Sequence, residues 1–310
     1  MAETQNKKQI VGLIVGREQD WPDSFIAELA ARDAGATAEF VKLGGTYLDD
    51  ACLYPVIFDR MSHEIPYYRT YVKYAALNGS YIINNPFVWS ADNRFFGTTI
   101  ANRLGLKSPR TIVLPNKETL AETIPDSFRN LEYPMNWEGI TEYIGVPAIF
   151  KEIRSGGRRI SFRVHNVDEL IQRYDESGTS TMILQELIQG GEHIHCLVIG
   201  EESALVLQYS PEQNRYLPDV ELSEATKAQI IDSALALTKA YGYEINLIEF
   251  NHQDGELIVI NSTNPSPIID RKLFGEDHFS WIVNATVDLA LARLANPLPQ
   301  EVPFNLESSR

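Results

Sequence analysis

A lysine followed by two glycines stands where an apolar run ends, and this pattern can hold a phosphate group. The run Ala-Ile-Phe before Lys151 has the composition of a buried strand, and Gly156 and Gly157 follow it closely. Glycines let backbone N–H groups approach an anion, while the lysine ammonium supplies a positive charge. Because a solvated hairpin has the same composition, this segment alone leaves both interpretations open.

A polar Gln-Glu pair ends the next apolar run. Apolar residues lead into Gln185 and Glu186, and two glycines then separate this run from another one, which contains His195. The pattern predicts a buried strand, a bend and a returning strand.

A single acid lies inside a third apolar run. Glu249 is flanked by apolar residues, and the dipeptide Asp-Gly at 254–255 leads into a further run that ends at Asn261. An Asp-Gly pair between two such runs is typical of a hairpin. A carboxylate inside a buried strand needs a cation or a hydrogen-bond donor as its partner, so Glu249 is the strongest candidate for a metal ligand.

The first third of the chain alternates short apolar runs with helical spacing, which predicts βαβ units. Strands are expected at 10–15, 38–43, 56–58 and 81–84, with helices at 24–33, 67–77 and 92–104. Such units form a small, mainly parallel sheet covered by helices. Gly105 closes the last helix and Pro109 follows shortly after, so this lobe is expected to end near residue 110.

The remaining two thirds predict two segments of mixed strand and helix. The first has strands at 111–114, 148–153, 159–164 and 181–188 and helices at 137–143 and 167–175, and the second has strands at 194–199, 204–209, 246–250 and 256–261 and helices at 223–241 and 279–295. Residues 116–145 are otherwise irregular and are expected to be an insertion.

The composition limits the class of protein. Its 44% hydrophobic and 22% charged residues are ordinary for a globular protein. No apolar run approaches the about 18 residues of a membrane span, and the polar start MAETQNKKQ is unlike a secretory signal. Only Cys52 and Cys196 are present, which suits a reducing compartment. A cytoplasmic protein is expected.

The charge distribution limits the partners. A net charge of −15 disfavours nucleic acid and anionic membranes, so neither is expected to bind. The dense basic cluster consists of Lys151, Arg154, Arg158 and Arg159. A cluster this small suits one phosphorylated ligand better than a polymer.

In order and spacing, the three segments resemble the ATP-grasp superfamily, over nearly the whole chain. The run INNPFVWSADNRFFG at 83–97, with Tyr133, Pro134 and Trp137, is similar to a bacterial group within it, and RimK-like and glutathione-synthetase-like ligases are near relatives. The resemblance implies an ATP-grasp fold of α/β and α+β class. An N-terminal βαβ domain (1–110) would be followed by a small lid subdomain (111–190) and a C-terminal subdomain with a metal hairpin (191–310), the last two clasping ATP.

The resemblance implies that Lys151 contacts the α- and β-phosphates of ATP, beneath a lid formed by Gly156 and Gly157. Arg94 stands where the superfamily usually has another phosphate-binding lysine. Its planar guanidinium keeps the charge but changes the geometry offered to phosphate. A solvated helix position is the alternative for Arg94.

The remaining nucleotide and acceptor positions also come from the resemblance. The residues implied to hold the adenine edge, mainly through backbone groups, are Gln185, Glu186, Leu187 and Ile188. Glu192 or His193 would reach the ribose hydroxyls. His195 and Arg215 are the catalytic candidates: relatives often have an arginine for the transferred phosphate at the first position, and Arg215 is the only cation where relatives shape the acceptor site. A packed, hydrogen-bonded histidine is the alternative for His195.

The metal hairpin implied by the resemblance contains Glu249, Asn261 and Asn264 as ligands of Mg²⁺. Relatives carry a second acid where this chain has Asn261 followed by Ser262. One carboxylate with two amides neutralises less of the ion's charge, so weaker binding is expected. Asp270, in the following loop, is an alternative source of a second acid.

The expected function is ATP-dependent ligation of a small carboxylate to an amine or thiol through an acyl phosphate, with ATP and Mg²⁺ as cofactors. A nucleotide-binding protein without turnover is the main alternative, because Arg94, His195 and Asn261 all depart from the usual pattern. A Rossmann-type dehydrogenase is disfavoured, since residues 12–16 lack the three-glycine fingerprint. The two substrates and the oligomeric state are left open, a homodimer being one option.

Overall fold

The computed structural model describes residues 9–88, 93–119, 129–154 and 161–304. These residues form two compact units. Unit 1 contains the described residues up to 88, His193–Ile248 and the described residues from Pro265 onward. Unit 2 contains the described residues from 93 to Glu192, together with Glu249–Asn264. The three-part division at residues 110 and 190 stays a prediction.

Strands and helices alternate along the described residues. The strands are β1 (Gln9–Ile14), β2 (Ala36–Phe40), β3 (Val56–Asp59), β4 (Tyr81–Ile83), β5 (Thr111–Leu114), β6 (Ala148–Glu152), β7 (Ser161–Val164), β8 (Met182–Glu186), β9 (Glu192–Ile199), β10 (Ser203–Ser210), β11 (Arg215–Tyr216), β12 (Ile245–Gln253) and β13 (Glu256–Asn261). The helices are α1 (Asp20–Ala31), α2 (Pro66–Leu77), α3 (Arg94–Arg103), α4 (Trp137–Ile144), α5 (Val167–Asp175), α6 (Glu224–Tyr241), α7 (Arg271–Phe274) and α8 (Glu276–Ala295). Among these helices none combines the length and the apolar character needed to cross a membrane.

Unit 1 begins with a four-stranded parallel sheet in the order β2-β1-β3-β4. Its strands are rich in buried apolar residues, as expected of parallel strands covered by helices. The mainly parallel sheet predicted from the βαβ rhythm is therefore confirmed. Helix α1 begins at Asp20, earlier than the predicted residue 24, because Pro22 is tolerated in the first turn of a helix.

An aromatic cluster forms the centre of this part of unit 1. Trp21, Phe25 and Phe58 are fully buried, and the ring centroids of Phe25 and Phe58 lie 5.1 Å apart. The indole N–H of Trp21 donates to Oγ1 of Thr286 on α8, 3.1 Å away. Each large apolar side chain buried in this way contributes about 1.5–3 kcal/mol, and the hydrogen bond satisfies the polar atom of the indole.

Unit 2 contains an antiparallel sheet in the order β5-β8-β6-β7. Helices α4 and α5 contribute Trp137 and Tyr174 to its core, with ring centroids 5.0 Å apart. Phe150 on β6 and Leu184 on β8 are fully buried in the same core. The strand and helix pattern predicted for this part of the chain is confirmed in the described residues.

The strand order β11-β10-β9-β12-β13 defines a five-stranded sheet. Strand β12 belongs to unit 1 up to Ile248 and to unit 2 from Glu249. Within unit 2 it pairs with β13 through a turn in which Asp254 and Gly255 have φ values of +53° and +78°. Two successive positive φ values are what an Asp-Gly hairpin turn requires, so the predicted hairpin is confirmed.

The sequence does not predict β11 or α7. These elements have two and four residues, too few for a period to be visible. Asp270 starts α7 by accepting hydrogen bonds from the backbone N–H groups of Lys272 and Leu273, at 2.7 and 3.3 Å. The carboxylate that the sequence offers as an alternative metal ligand therefore caps a helix.

Candidate functional site

Lys151 lies near the end of β6, where the neighbouring strand holds its side chain. Its ammonium donates a hydrogen bond to Oε1 of Gln185 on β8, at an Nζ–Oε1 distance of 2.8 Å. The amide nitrogen of Gln185 donates in turn to Oγ1 of Thr111 on β5, 3.0 Å away. Because Gln185 is only 4% exposed, this relay across three strands fixes the position of the ammonium.

Burial and two neighbouring charges set the ionisation of Lys151. Burial, with a smaller contribution from the cation of Arg94, lowers the pKa of Lys151 to about 8, although the carboxylate of Glu249 acts in the opposite direction. Lys151 is thus within electrostatic range of both Arg94 and Glu249, and all three residues belong to unit 2. Two cations beside one carboxylate favour an anionic ligand such as phosphate.

If the ATP that the resemblance implies binds here, its affinity should fall as the pH rises from about 7 to about 9, because the Lys151 ammonium loses its proton in this interval. The same ionisation affects the stability of the fold. In the unfolded protein the side chain of Lys151 has its ordinary pKa of 10.5. The lowered pKa therefore costs stability at neutral pH, and this cost disappears as the pH rises from 8 towards 10.5. Calorimetric titrations of Mg-ATP across this pH range should show the dependence, and Lys151→Met should remove most of it. An equal dependence in both proteins would contradict this assignment.

Arg94 begins α3 and is bonded to the chain just beyond β6. Its backbone N–H donates to the carbonyl oxygen of Ile153 at 2.9 Å, and its Nε donates to that of Arg154 at 3.3 Å. These bonds hold the start of α3 near Lys151. The predicted lid and basic residues that lie outside the described part of the chain are Gly156, Gly157, Arg158 and Arg159.

The carboxylate of Glu186 is occupied by Arg110. It accepts from Nε and Nη2 of Arg110, at 3.1 and 3.0 Å, and from the backbone N–H of the same residue at 3.1 Å. The hydrogen bond from the Arg110 guanidinium lowers the pKa of Glu186, so the carboxylate is charged at neutral pH. We therefore expect the main chain of Leu187 and Ile188, rather than the Glu186 side chain, to meet an adenine edge.

The bend after β8 requires glycine at position 191. Gly191 has a φ of +75°, and a Cβ there would lie 2.6 Å from Oδ1 of Asn251 and 2.9 Å from the carbonyl oxygen of His252. The amide of Asn251 also donates to the carbonyl oxygen of Gly190 at 2.8 Å. The hydrogen bond from Asn251 therefore holds the bend against β12, and the position of the bend determines where β9 begins.

Gly191→Ala should lower the melting temperature more than Gly190→Ala. Both glycines have a φ of +75°, so either alanine costs about 1–2 kcal/mol in backbone conformation. Only at position 191 does the new Cβ also meet backbone, since the nearest atom to a Cβ at position 190 is Nε2 of Gln253 at 3.8 Å. Thermal unfolding of the two variants measures the difference, and equal losses would show that crowding at position 191 is unimportant.

The two ribose candidates occupy opposite faces of β9, because side chains alternate along a strand. Oε2 of Glu192 lies 3.0 Å from Nδ1 of His252 on β12, within unit 2. His193 is exposed and belongs to unit 1. Glu192 is thus the candidate that shares a compact unit with Lys151.

The metal candidates Glu249 and Asn261 face each other across the β12–β13 hairpin. The amide nitrogen of Asn261 donates to Oε1 of Glu249 at 3.2 Å, and Asn264 is half-buried beyond the end of β13. No group of three or more His, Cys, Asp or Glu side chains placed to hold a metal occurs among the described residues. One carboxylate beside amide groups fits an Mg²⁺ ion that takes most of its ligands from substrate phosphates and water. Rotation of the Asn261 amide would turn its oxygen towards such an ion.

The two catalytic candidates both lie in unit 1. Nδ1 of His195 is 2.8 Å from the hydroxyl of Tyr216, and its ring stacks on Tyr209 with a centroid distance of 5.3 Å. These contacts agree with the packed alternative for His195. Arg215 is exposed on β11, and its Nε donates to Oε1 of Gln213 at 2.9 Å.

The sequence does not predict three residues that position the candidates. Arg110 holds Glu186, Thr111 holds Gln185, and His252 contacts Glu192. Each contact joins strands that are distant in the sequence, so no local pattern could reveal it. The only signal is that Thr111 starts a predicted strand and Arg110 directly precedes it.

Solved structures with similar folds include three that align along most of this chain. A RimK domain ATP-grasp protein from Sphaerobacter thermophilus is 17% identical, with a TM-score of 0.64 over 91% of this chain and 99% of that one. The D-alanine–D-alanine ligase from Bacillus anthracis in complex with ATP is 15% identical, with a TM-score of 0.64 over 94% and 99% of the two chains. The D-alanine–D-alanine ligase from Coxiella burnetii is 13% identical, with a TM-score of 0.63 over 93% and 95%. No family model and no curated protein matches the sequence. The likeness in structure establishes that this chain has the ATP-grasp fold.

Proposed function

We propose that this protein is an ATP-dependent ligase that joins a small-molecule carboxylate to an amine or a thiol. The proposal rests mainly on Lys151 of unit 2, whose ammonium is held by Gln185 and interacts electrostatically with Arg94 and Glu249. Cations for phosphate and an acid for a metal ion are the groups that Mg-ATP chemistry requires. The Bacillus anthracis D-alanine–D-alanine ligase, solved with ATP, supports the proposal as a ligase with a similar fold.

The reaction would pass through an acyl phosphate. A carboxylate oxygen of the substrate attacks the γ-phosphorus, a new O–P bond forms, and the bond to the β,γ-bridging oxygen breaks to release ADP. The amine nitrogen or thiol sulfur then attacks the acyl carbon. The C–O bond to phosphate breaks, phosphate leaves, and the nucleophile gives up a proton. Orientation and charge supply the catalysis, so no nucleophilic side chain is needed.

The phosphate and metal roles fall to residues of unit 2. Lys151 would hold the α- or β-phosphate and Arg94 a further phosphate. Mg²⁺, when bound, would neutralise phosphate charge. It would be held by the carboxylate of Glu249 and the amide oxygens of Asn261 and Asn264.

The remaining roles concern the base, the sugar and the acceptor. The main chain of Leu187 and Ile188 would meet the adenine, and Glu192 would accept hydrogen bonds from the ribose hydroxyls. His195 and Arg215, which both lie in unit 1, stay the candidates for a catalytic role.

A nucleotide-binding protein without turnover is the second candidate. Asn261 provides an amide, and not a second carboxylate, beside Glu249. His195 is engaged by two tyrosine rings. Both features reduce the charge available for phosphoryl transfer, and they favour a protein that binds ATP without consuming it.

Release of ADP separates the two candidates. The protein would be incubated with Mg-ATP and pools of amino acids, short peptides and small carboxylic acids, with hydroxylamine added to trap an acyl phosphate as a hydroxamate. A ligase should release ADP and phosphate in equal amounts and form a hydroxamate with one pool. If the protein binds ATP but releases no ADP with any of the pools, the second candidate is favoured. A protein that does not bind ATP would contradict both.

A further inference from the structure

Unit 1 contains a cavity of about 510 Å³ that includes none of the candidate nucleotide or metal residues. Four parts of the chain form its walls: Tyr81 at the start of β4 with the loop that follows this strand, the end of β9 with the turn to β10, the C-terminal half of α6 with the residues after it, and residues 298–301. A volume of this size is typical of sites for small organic ligands.

The wall made by residues 298–301 is fixed to β4. The backbone N–H of Ile82 donates to Oε1 of Gln300 at 3.0 Å, and Nε2 of Gln300 donates back to the carbonyl oxygen of Ile82 at 2.6 Å. The amide of Asn85 donates to the carbonyl oxygen of Glu301 at 2.9 Å. Because the wall is held by three hydrogen bonds, the cavity is formed before any ligand enters, which reduces the entropic cost of binding.

The floor of the cavity is polar but already neutralised. Glu244 is 8% exposed and accepts hydrogen bonds from the hydroxyl of Tyr81, at 2.7 Å, and from the guanidinium of Arg293. The carboxylate and the guanidinium cancel each other's charge. A ligand therefore meets a neutral floor, and Val88, Leu235 and Leu298 add apolar surface to walls that also contain the polar side chains of Asn85 and Thr238.

The rim, in contrast, is negatively charged. Glu201, Glu202 and Glu301 are exposed there, and Lys239 is the only cationic side chain among the lining residues. The guanidinium of Arg293 lies 3.8 Å from the carboxylate of Glu201, so Glu202 and Glu301 carry most of the charge of the rim. The cavity also lies at the C-terminal end of α6, where Gly242 follows the last turn. The C-terminal end of a helix carries a partial negative charge, although here the carbonyl oxygens of Lys239 and Thr238 already accept hydrogen bonds from the N–H groups of Gly242 and Tyr243, so the carboxylates of the rim supply the main attraction for a cation.

We propose that this cavity binds a small organic cation. Its ammonium or guanidinium group would lie at the rim between the carboxylates of Glu202 and Glu301. Its hydrocarbon part would extend inward against Val88, Leu235 and Leu298. The combination of this apolar surface and an acidic rim selects this class over a free inorganic cation, which cannot use the apolar surface, and over an anion, which the rim repels.

Calorimetry with agmatine as the probe tests the proposal, because agmatine has an aliphatic chain between two cationic groups. Glu202→Gln with Glu301→Gln should weaken agmatine binding about three- to tenfold, the effect expected of two partly exposed ion pairs. Glu221→Gln with Asp232→Asn is the matched control. It changes the net charge equally at exposed acids outside the cavity and should leave the affinity unchanged.

A second variant tests the location independently of charge. Leu235→Trp puts a large ring into the cavity and should abolish agmatine binding while the melting temperature shows that the protein is folded. The proposal is overturned if the wild type does not bind agmatine, or if pentanoate, an anion of similar length, binds more tightly. Equal losses in the two charge variants, or full binding by Leu235→Trp, would also overturn it.

Discussion

Lys151→Met should weaken Mg-ATP binding about 10- to 100-fold, because a charge-assisted contact to phosphate is worth about 1.5–3 kcal/mol. The melting temperature of the ligand-free protein should change little, since two effects oppose each other. Oε1 of the buried Gln185 loses its donor, which costs stability. Removal of a partly buried ammonium relieves a desolvation penalty, which restores stability. Calorimetry with Mg-ATP and thermal unfolding of the same samples measure both quantities.

Lys117→Met is the matched control for this substitution. Lys117 is an exposed lysine of unit 2 that pairs with Asp175, and it has no predicted part in nucleotide binding. Its replacement should leave ATP affinity unchanged. If Lys151→Met also binds ATP normally, Lys151 belongs to an ordinary solvated hairpin, and the phosphate site has to be sought elsewhere.

Asn261→Asp should make the stability of the protein depend on Mg²⁺. The amide nitrogen of Asn261 lies 3.2 Å from Oε1 of Glu249, so an aspartate there places two carboxylates side by side. Without a cation the repulsion should cost about 1–3 kcal/mol of unfolding free energy. Mg²⁺ neutralises both charges, so it should restore that stability and tighten Mg-ATP binding. Any ATP turnover should rise.

Asn261→Leu separates the loss of the hydrogen bond from the added charge. This variant removes the amide but adds no carboxylate, so Mg²⁺ should not restore its stability. Unfolding experiments with and without Mg²⁺, together with ADP release, complete the comparison. If Asn261→Asp is destabilised, and Mg²⁺ neither restores its stability nor changes its ATP binding, the hairpin is not a metal site. The proposed ligase would then lack the metal site that its reaction needs.

The regular elements could be predicted because their signals are local. Alternating and helical periods mark the strands and helices of the βαβ units, and the Asp-Gly turn at 254–255 specifies a hairpin through its two positive φ values. The position of Lys151 at the end of a buried strand also follows from a short run of apolar residues. Such patterns need no information about distant parts of the chain.

The partners of the candidate residues could not be predicted, because they depend on how distant strands align. Thr111 meets Gln185 only through the register of β5 on β8, and the same pairing brings Arg110 to Glu186. A shift of one residue in that register would turn each side chain to the other face. The sequence likewise leaves both Glu192 and His193 as candidates for the ribose contact. The structure separates them, because neighbouring side chains point to opposite faces of β9.

The pairing of Gln300 with Ile82 has a further consequence for how the protein behaves in solution. Strand β4 is one of the two edge strands of its sheet, and an edge strand offers unpaired backbone groups to which another molecule can add a strand. The side-chain amide of Gln300 occupies both backbone groups of Ile82, as a neighbouring strand would. Residues 298–301 therefore cover part of the edge of this sheet. A protein shortened before residue 298 would expose the backbone groups of Ile82, and it should self-associate as its concentration rises.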